Sequence, residues 1–320
     1  MKFVKITTYY KGFLKQFYKK YPFIVKEPYQ TQQKYLLSQH FGWSDFYSKH
    51  LRELGYEASE IITNAKHETD FLTTLKQAKP EIVFFEDTNY DIIKELKEII
   101  PSIKLLIGWY NSPADTEIYK HFDLIMVGAE CFKKIGKRVY VLPLAFEDSI
   151  SYKNDESEDF VFFGSFYKGK ERHDNRIEMV KKIDRLKIYG NTGGLVNTAL
   201  SFSKYEKPLY GNEMFEQLAK AKIGFNIHIG MAEEACNMRM FETTGSGVCL
   251  VTDDLPNKYF AEDEVVTYKS AAECNEKVKY LLDHPKERRQ IALRGQRRTL
   301  KDHTYKIRVA QLDEIIKENL

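Results

Sequence analysis

Short apolar runs rich in Val, Ile and Phe recur along the chain with amphipathic stretches between them, an alternation that predicts parallel sheets covered by helices. In the first half, Phe3 to Thr7, Glu57 to Ile62, Glu81 to Phe85, Lys104 to Trp109, Leu124 to Val127 and Val139 to Leu142 read as strands. Trp43 to Leu54, Asp70 to Lys79 and Tyr90 to Ile100 read as helices between them. A polar, acidic stretch from Glu147 to Ser157 has no periodicity and reads as a linker. The pattern then restarts, with strands at Phe160 to Phe163, Leu186 to Tyr189, Ile223 to Ile227 and Val248 to Thr252. Helices are expected near Asn175 to Ile183, Glu213 to Ala221 and Met238 to Thr244, and a basic helical segment from Pro285 to Leu320. The expectation is an α/β protein of two Rossmann-like domains: 1–146, a linker at 147–158, a second domain at 159–304, and a final helix at 305–320 that crosses back to the first domain.

At 320 residues the chain is long enough for two domains that each bury a core. Its 43% hydrophobic and 30% charged residues are those of a folded protein rather than a disordered one. Cys131, Cys236, Cys249 and Cys274 form no CxxC pair, which argues against a disulfide framework or a structural zinc site. No eighteen apolar residues run together, and the first residues are too short and interrupted an apolar stretch for a signal peptide. The expected location is therefore cytoplasmic.

Charge is unevenly spread. Eight lysines stand against one acid, Glu27, between Met1 and Lys34, and nine Lys or Arg against two acids between Pro285 and Arg308. Such patches attract phosphates, anionic lipid or nucleic acid, or are merely solvated. The C-terminal basic segment has no recognition motif and no interleaved aromatics, which argues against nucleic acid as a partner. Phe13, Phe17, Tyr18 and Tyr21 alternate with lysines at helical spacing. That pattern admits peripheral contact with an anionic membrane, or packing of the aromatic stripe on the first domain.

Ligands of open parallel sheets sit beyond the carboxyl ends of the strands, where helix N-termini offer free N–H groups to phosphates. One such loop is Gly164-Ser165-Phe166-Tyr167-Lys168-Gly169-Lys170-Glu171. It nearly fits GxxxxGK[ST], but Glu171 stands where a hydroxyl should bind magnesium, so a P-loop nucleotidase is not expected. Gly164, Lys168, Lys170, Arg172 and Arg176 remain candidates for meeting a diphosphate, against the alternative of a solvated basic turn. A second loop runs from Phe225 to Gly247 and carries Glu234 and Glu242, with seven residues between them. With a diphosphate on the helix N-terminus around Asn237 and Met238, both carboxylates could accept hydrogen bonds from sugar hydroxyls. Asp253-Asp254 ends a strand and reads as a turn. In the first domain Glu86, Asp87, Trp109 and Tyr110 would suit a sugar, stacking and accepting from hydroxyls, while core packing is the alternative for the two rings.

The segment from Asn237 to Leu312 resembles the C-terminal half of the CgeB-like, or spore-maturation-type, glycosyltransferases of the retaining E-x7-E group. The residues that carry the likeness are Asn237-Met238-Arg239-Met240-Phe241-Glu242, Gly245-Ser246-Gly247, Leu250-Val251-Thr252-Asp253, Leu281-Leu282-Asp283-His284-Pro285 and His303-Thr304-Tyr305-Lys306-Ile307-Arg308. Phe41 to Tyr47 and Leu54 to Ala58 are more loosely similar to the same family. The resemblance implies the GT-B fold, two Rossmann-like domains facing across a cleft, and transfer from a nucleotide sugar to a glycan, lipid-linked or protein acceptor. Retention is implied, with no metal and no cofactor beyond the donor. Glu242 would hold the ribose and Glu234 the transferred sugar, although Glu233 offers a competing register and Ala235-Cys236-Asn237 replaces the glycines of many relatives. Arg239 and Arg172 either stabilise the departing nucleotide or form ordinary ion pairs. A nucleotide-sugar epimerase of the same fold and a non-catalytic binding protein are the alternatives.

Overall fold

The computed structural model describes every residue except 67–69, 87–90, 112–116, 137, 167–170, 192–203 and 230–232. The chain divides into two compact units, Met1–Pro143 with Tyr305–Leu320, and Leu144–Thr304.

The first unit is built on a six-stranded sheet of β1 (Lys2–Thr7), β2 (Glu57–Ile62), β3 (Ile82–Phe85), β4 (Leu105–Tyr110), β5 (Leu124–Val127) and β6 (Val139–Val141). The order is β2-β1-β3-β4-β5-β6 and every pairing is parallel. Its helices are α1 (Lys11–Lys20), α2 (Tyr29–Leu37), α3 (Phe46–Glu53), α4 (Phe71–Ala78) and the short α5 (Leu96–Ile99). Continuous apolar runs such as Ile82-Val83-Phe84-Phe85 are buried throughout, because the sheet is covered on both faces. Asp70 caps α4 by accepting from the Thr73 N–H at 3.0 Å, while Lys79 ends the helix in the left-handed region.

The second unit repeats the plan with β7 (Glu158–Phe163), β8 (Lys187–Tyr189), β9 (Lys204–Glu206), β10 (Ala221–Asn226), β11 (Cys249–Asp253) and β12 (Val266–Tyr268). The order β12-β11-β10-β7-β8-β9 is again wholly parallel. It carries α6 (Glu171–Val180), α7 (Gly211–Ala219), α8 (Met238–Gly245), α9 (Ala271–Asp283) and α10 (Pro285–Asp302). A core of Phe160, Phe162, Phe225, Ile188 and Val251 fills the space under α6 and α9.

The basic helical segment expected from Pro285 divides into two helices, the second beginning at Tyr305 where a final helix was expected. The Phe146 N–H donates to the His303 carbonyl at 2.9 Å, and Phe146 forms a parallel bridge with Thr304, so the chain leaves helical geometry there. The helix α11 (Tyr305–Asn319) that follows belongs to the first unit, where Asp313 accepts from the Tyr56 hydroxyl at 2.6 Å.

Each sheet reverses its strand order at one place, between β1 and β3 and between β7 and β10, and crevices for ligands open at the carboxyl ends of such switch points. At the first switch point Glu86 accepts from Thr7 Oγ1 at 2.6 Å and lies 3.4 Å from Lys5 Nζ. Lys5 is fully buried, 3.0 Å from the buried Glu60, whose other oxygen accepts from Ser48 at 2.7 Å. Burial pushes the Glu60 carboxyl up to about 7 against the opposing pull of Lys5. A carboxyl raised in the folded state binds its proton more readily there than in the unfolded chain. Its contribution to stability is therefore complete below the ordinary glutamate range and is lost as pH rises toward about 7. Denaturant midpoints measured from pH 5 to pH 8 should show this loss in the wild type, and the component should vanish in Glu60→Gln; superimposable profiles would refute it.

Candidate functional site

The carboxyl edge of the second sheet is organised by β10 and β11, which lie side by side with Asn226 opposite Thr252. The residues that follow this matched pair meet. Asp253 accepts from the His228 backbone N–H at 3.0 Å and lies 2.7 Å from His228 Nδ1. On the far side of the ring, Nε2 accepts the Cys236 backbone N–H at 3.1 Å. A nitrogen that accepts from a backbone N–H carries no proton, so the neutral ring holds its proton on Nδ1, aimed at the carboxylate. Burial raises the Asp253 carboxyl, but hydrogen bonds from the His228 side chain and backbone and from Thr252 outweigh it and hold the group below the usual range.

His228 thus ties the loop between β10 and α8 to β11, and further bonds fix its end. The Ala235 N–H donates to Pro256 O at 2.9 Å, and Asn237 Nδ2 donates to Asn226 Oδ1 at 2.8 Å. Asn237 also caps α8, its Oδ1 accepting the Met240 N–H at 3.3 Å. Its side chain is therefore spent on structure, while Met238 begins the helix half-buried.

Of the paired glutamates, Glu234 is buried and Glu233 exposed, so the side chain of Glu234 is the one turned inward, 3.5 Å from Lys258 Nζ. Glu242, one turn into α8, is buried and forms an ion pair with Arg239 at 2.5 Å. Burial raises its carboxyl, opposed by Arg239. Arg239 also lies 5.8 Å above the Phe163 ring, which brings it to the end of β7 beside Gly164.

At that strand end the backbone is tightly drawn together. A Cβ on Gly190 would lie 1.7 Å from the Gly164 carbonyl oxygen, so only glycine fits after β8. Arg176, from α6, reaches across the switch point and donates from Nη2 to the Ile227 carbonyl at 2.8 Å, its guanidinium 5.9 Å from the Phe162 ring. Its Nε is buried and has no hydrogen-bond partner among the described residues. Burial lowers it to about 10, with Asp253 raising it and Arg239 lowering it further. The structure thus brings Gly164, Arg176, Arg239 and Glu242 to one edge. Lys168 and Lys170 lie outside the described residues, as does the side chain of Arg172, whose backbone forms part of the first helical turn of α6.

The reading of Asp253 as a turn residue is corrected by this geometry, and His228 escaped sequence reasoning altogether. In the first unit Trp109 is buried edge-on against Trp43 at 4.6 Å, which is core packing, while Tyr110 is half-buried. Asp87 lies outside the described residues.

Over 99% of its length the chain matches an alpha-glucosyltransferase solved with UDP, at a TM-score of 0.67 and 10% identity, covering 100% of that chain. It matches HepE from Anabaena, solved with UDP and glucose, at a TM-score of 0.61 and 9% identity, again over 99% of this chain and 100% of the other. A sucrose-phosphate synthase from Thermosynechococcus elongatus gives a TM-score of 0.60 at 9% identity, covering 99% of this chain and 98% of that one. The chain has the GT-B glycosyltransferase fold. Residues 171–314 of this GT-B chain match the family described as glycosyl transferase-like. No curated protein sequence matches it. An alpha-glucosyltransferase has also been solved with UDP-glucose and DNA, at a TM-score of 0.65 and 10% identity over 99% of each chain, so a nucleic-acid partner occurs among proteins of this fold. Among the described residues no helix is long and apolar enough to cross a membrane.

The role of His228 is open to direct measurement. His228→Ala removes the acceptor for the Cys236 N–H and leaves it buried, at a cost of about 1–3 kcal/mol. Hydrogen exchange at Cys236 should accelerate in the variant while exchange in β7 stays slow; an unchanged rate at Cys236 would show that the loop is held without the ring.

Proposed function

We propose that this GT-B chain transfers a sugar from a nucleotide-sugar donor to a hydroxyl-bearing acceptor, with the donor held on the second unit. The observation that carries the reading is the pair of guanidiniums at the β7–β10 switch point. Among the described residues the buried Nε of Arg176 has no hydrogen-bond partner, and the charge of Arg239 lies near enough to disfavour its own. A diphosphate at this edge would neutralise both, with charge-assisted hydrogen bonds from each and the positive end of α8 beside it. Preorganised cations of this kind stabilise a departing nucleoside diphosphate, so the reading asks for no divalent metal.

Glu242 would accept from the ribose hydroxyls and Glu234 from the transferred sugar, which is the arrangement implied by the CgeB-like, retaining E-x7-E resemblance. When a diphosphate recruits Arg239, the Glu242 carboxylate is released from its ion pair to take a hydroxyl. The acceptor, a glycan, a lipid-linked sugar or a protein, is assigned to the β1–β3 switch point. There Glu86 is held through one oxygen by Thr7 and Lys5. A carboxylate at the end of a parallel strand suits a sugar hydroxyl.

The solved complexes of similar fold hold UDP, which makes uracil the first base to try. Calorimetric titration of UDP, GDP, ADP and dTDP into the wild type, with EDTA present, should find one nucleotide bound. Glu242→Ala should weaken it by about 10-fold or more, the worth of a charged hydrogen bond. Failure of all four to bind would sink the transferase reading.

A further inference from the structure

The helix α1 buries Phe13, Leu14, Phe17 and Tyr18, so its aromatic stripe is core. The opposite face carries Lys11, Lys15 and Lys19, four residues apart and all exposed, one above the other along the helix. Across from them stands Lys66, whose Nζ lies 5.0 Å over the Tyr18 ring. Lys11, Lys15, Lys19 and Lys66 line one groove of about 560 Å³ with Leu14 and Tyr18. Lys66 also lines the adjoining groove of about 710 Å³, together with Val25, Lys26 and one acid, Glu27. Among the described residues none of these five lysines has an ion-pair partner. Five cations against the single acid Glu27 on one continuous surface repel one another unless a further anion meets them.

Two features identify the anion. The first is that side chains able to enter an interface flank the basic surface. Tyr10, just before α1, is 70% exposed, Phe23 is 54% exposed and Val25 is exposed beside Lys26. Phe23 leans on Tyr21 and on the exposed Tyr35, with ring centroids 6.3 and 5.9 Å apart, forming an aromatic ridge at the far end of α1. The second is that all eight cations between Met1 and Lys34 are lysines and none is arginine. Arginine is the residue for bidentate recognition of individual phosphates, whereas lysine is a point charge on a long apolar stem. Lysines with exposed aromatic and aliphatic neighbours match a diffuse, anionic lipid surface better than a nucleic-acid backbone.

We propose that the α1 face of the first unit docks on a bilayer carrying acidic headgroups, the lysines meeting the headgroup charge while Tyr10, Phe23 and Val25 enter the interface. The proposal is independent of the donor reading, since none of these residues belongs to the edge formed by Arg176, Arg239 and Glu242. Co-sedimentation of the full chain with phosphatidylcholine vesicles, with and without phosphatidylglycerol, tests it. Binding is expected only to the anionic vesicles, weakening as salt is raised. The combined substitution Lys11→Gln, Lys15→Gln and Lys19→Gln should lower the partition coefficient about 100-fold, from about 5-fold per lysine. Phe23→Ser should lower it further, and thermal melting should confirm that both variants are folded. Equal binding to neutral vesicles, no binding to either, or indifference to the lysines would overturn the proposal. So would lysine-dependent binding of a DNA duplex without vesicle binding.

Discussion

The carboxyl edge of the second unit depends on one half-buried carboxylate, Asp253. A parallel strand that ends inside the protein leaves backbone groups of the following loop in need of partners, and a loop of this length has no ladder to supply them. Asp253 supplies them at one remove. It takes the backbone N–H of His228 and orients the ring, and the ring takes the N–H of Cys236. The loop is then held near its beginning and near its end. Asn237 is delivered to the first turn of α8, where it caps the helix and bonds back to Asn226. Remove the carboxylate and the imidazole has no reason to keep Nε2 free of a proton. The positions of Glu234 and Glu242 follow from this arrangement.

The strands were the most legible part of the chain, because buried parallel strands are short uninterrupted apolar runs. Glu57–Ile62 and Leu124–Val127 are found at the expected bounds, and most others differ by one or two residues. The edge strands β9 and β12 were not foreseen: Lys204–Glu206 and Val266–Tyr268 are three residues long and pair on one side only, so neither needs an apolar run. The helix expected from Tyr90 to Ile100 is instead a 3-10 turn followed by a single α turn. Four β-branched isoleucines weaken it, and Pro101 disfavours helical geometry at Ile100.

The site was legible in its charged residues and illegible in its supports. Glycines, lysines and arginines after β7 announce themselves by type and place, and so does a pair of glutamates with seven residues between them. Burial, which distinguishes Glu234 from Glu233, does not, since both stand in one irregular loop. His228 and Asp253 are 25 residues apart in sequence and become partners only through the register of β10 on β11. A histidine just past an apolar strand and an Asp-Asp pair at a strand end each have ordinary explanations when taken alone. Their pairing is a property of the sheet.

The two units solve the same topological problem with opposite charge. At the β1–β3 switch point the group presented is a carboxylate, Glu86, and the cation that compensates it, Lys5, is sealed beneath the sheet with Glu60. At the β7–β10 switch point the cations Arg176 and Arg239 stand at the edge, Arg239 paired with the more deeply placed carboxylate of Glu242 and Arg176 near that of Asp253. Burying the compensating charge rather than the presented one keeps the exposed group oriented, because a buried partner cannot swing away into solvent. A carboxylate edge selects for hydroxyl donors and a guanidinium edge for phosphates. The proposed transfer, which joins a hydroxyl to a sugar released from a diphosphate, would need both kinds of edge, one in each unit.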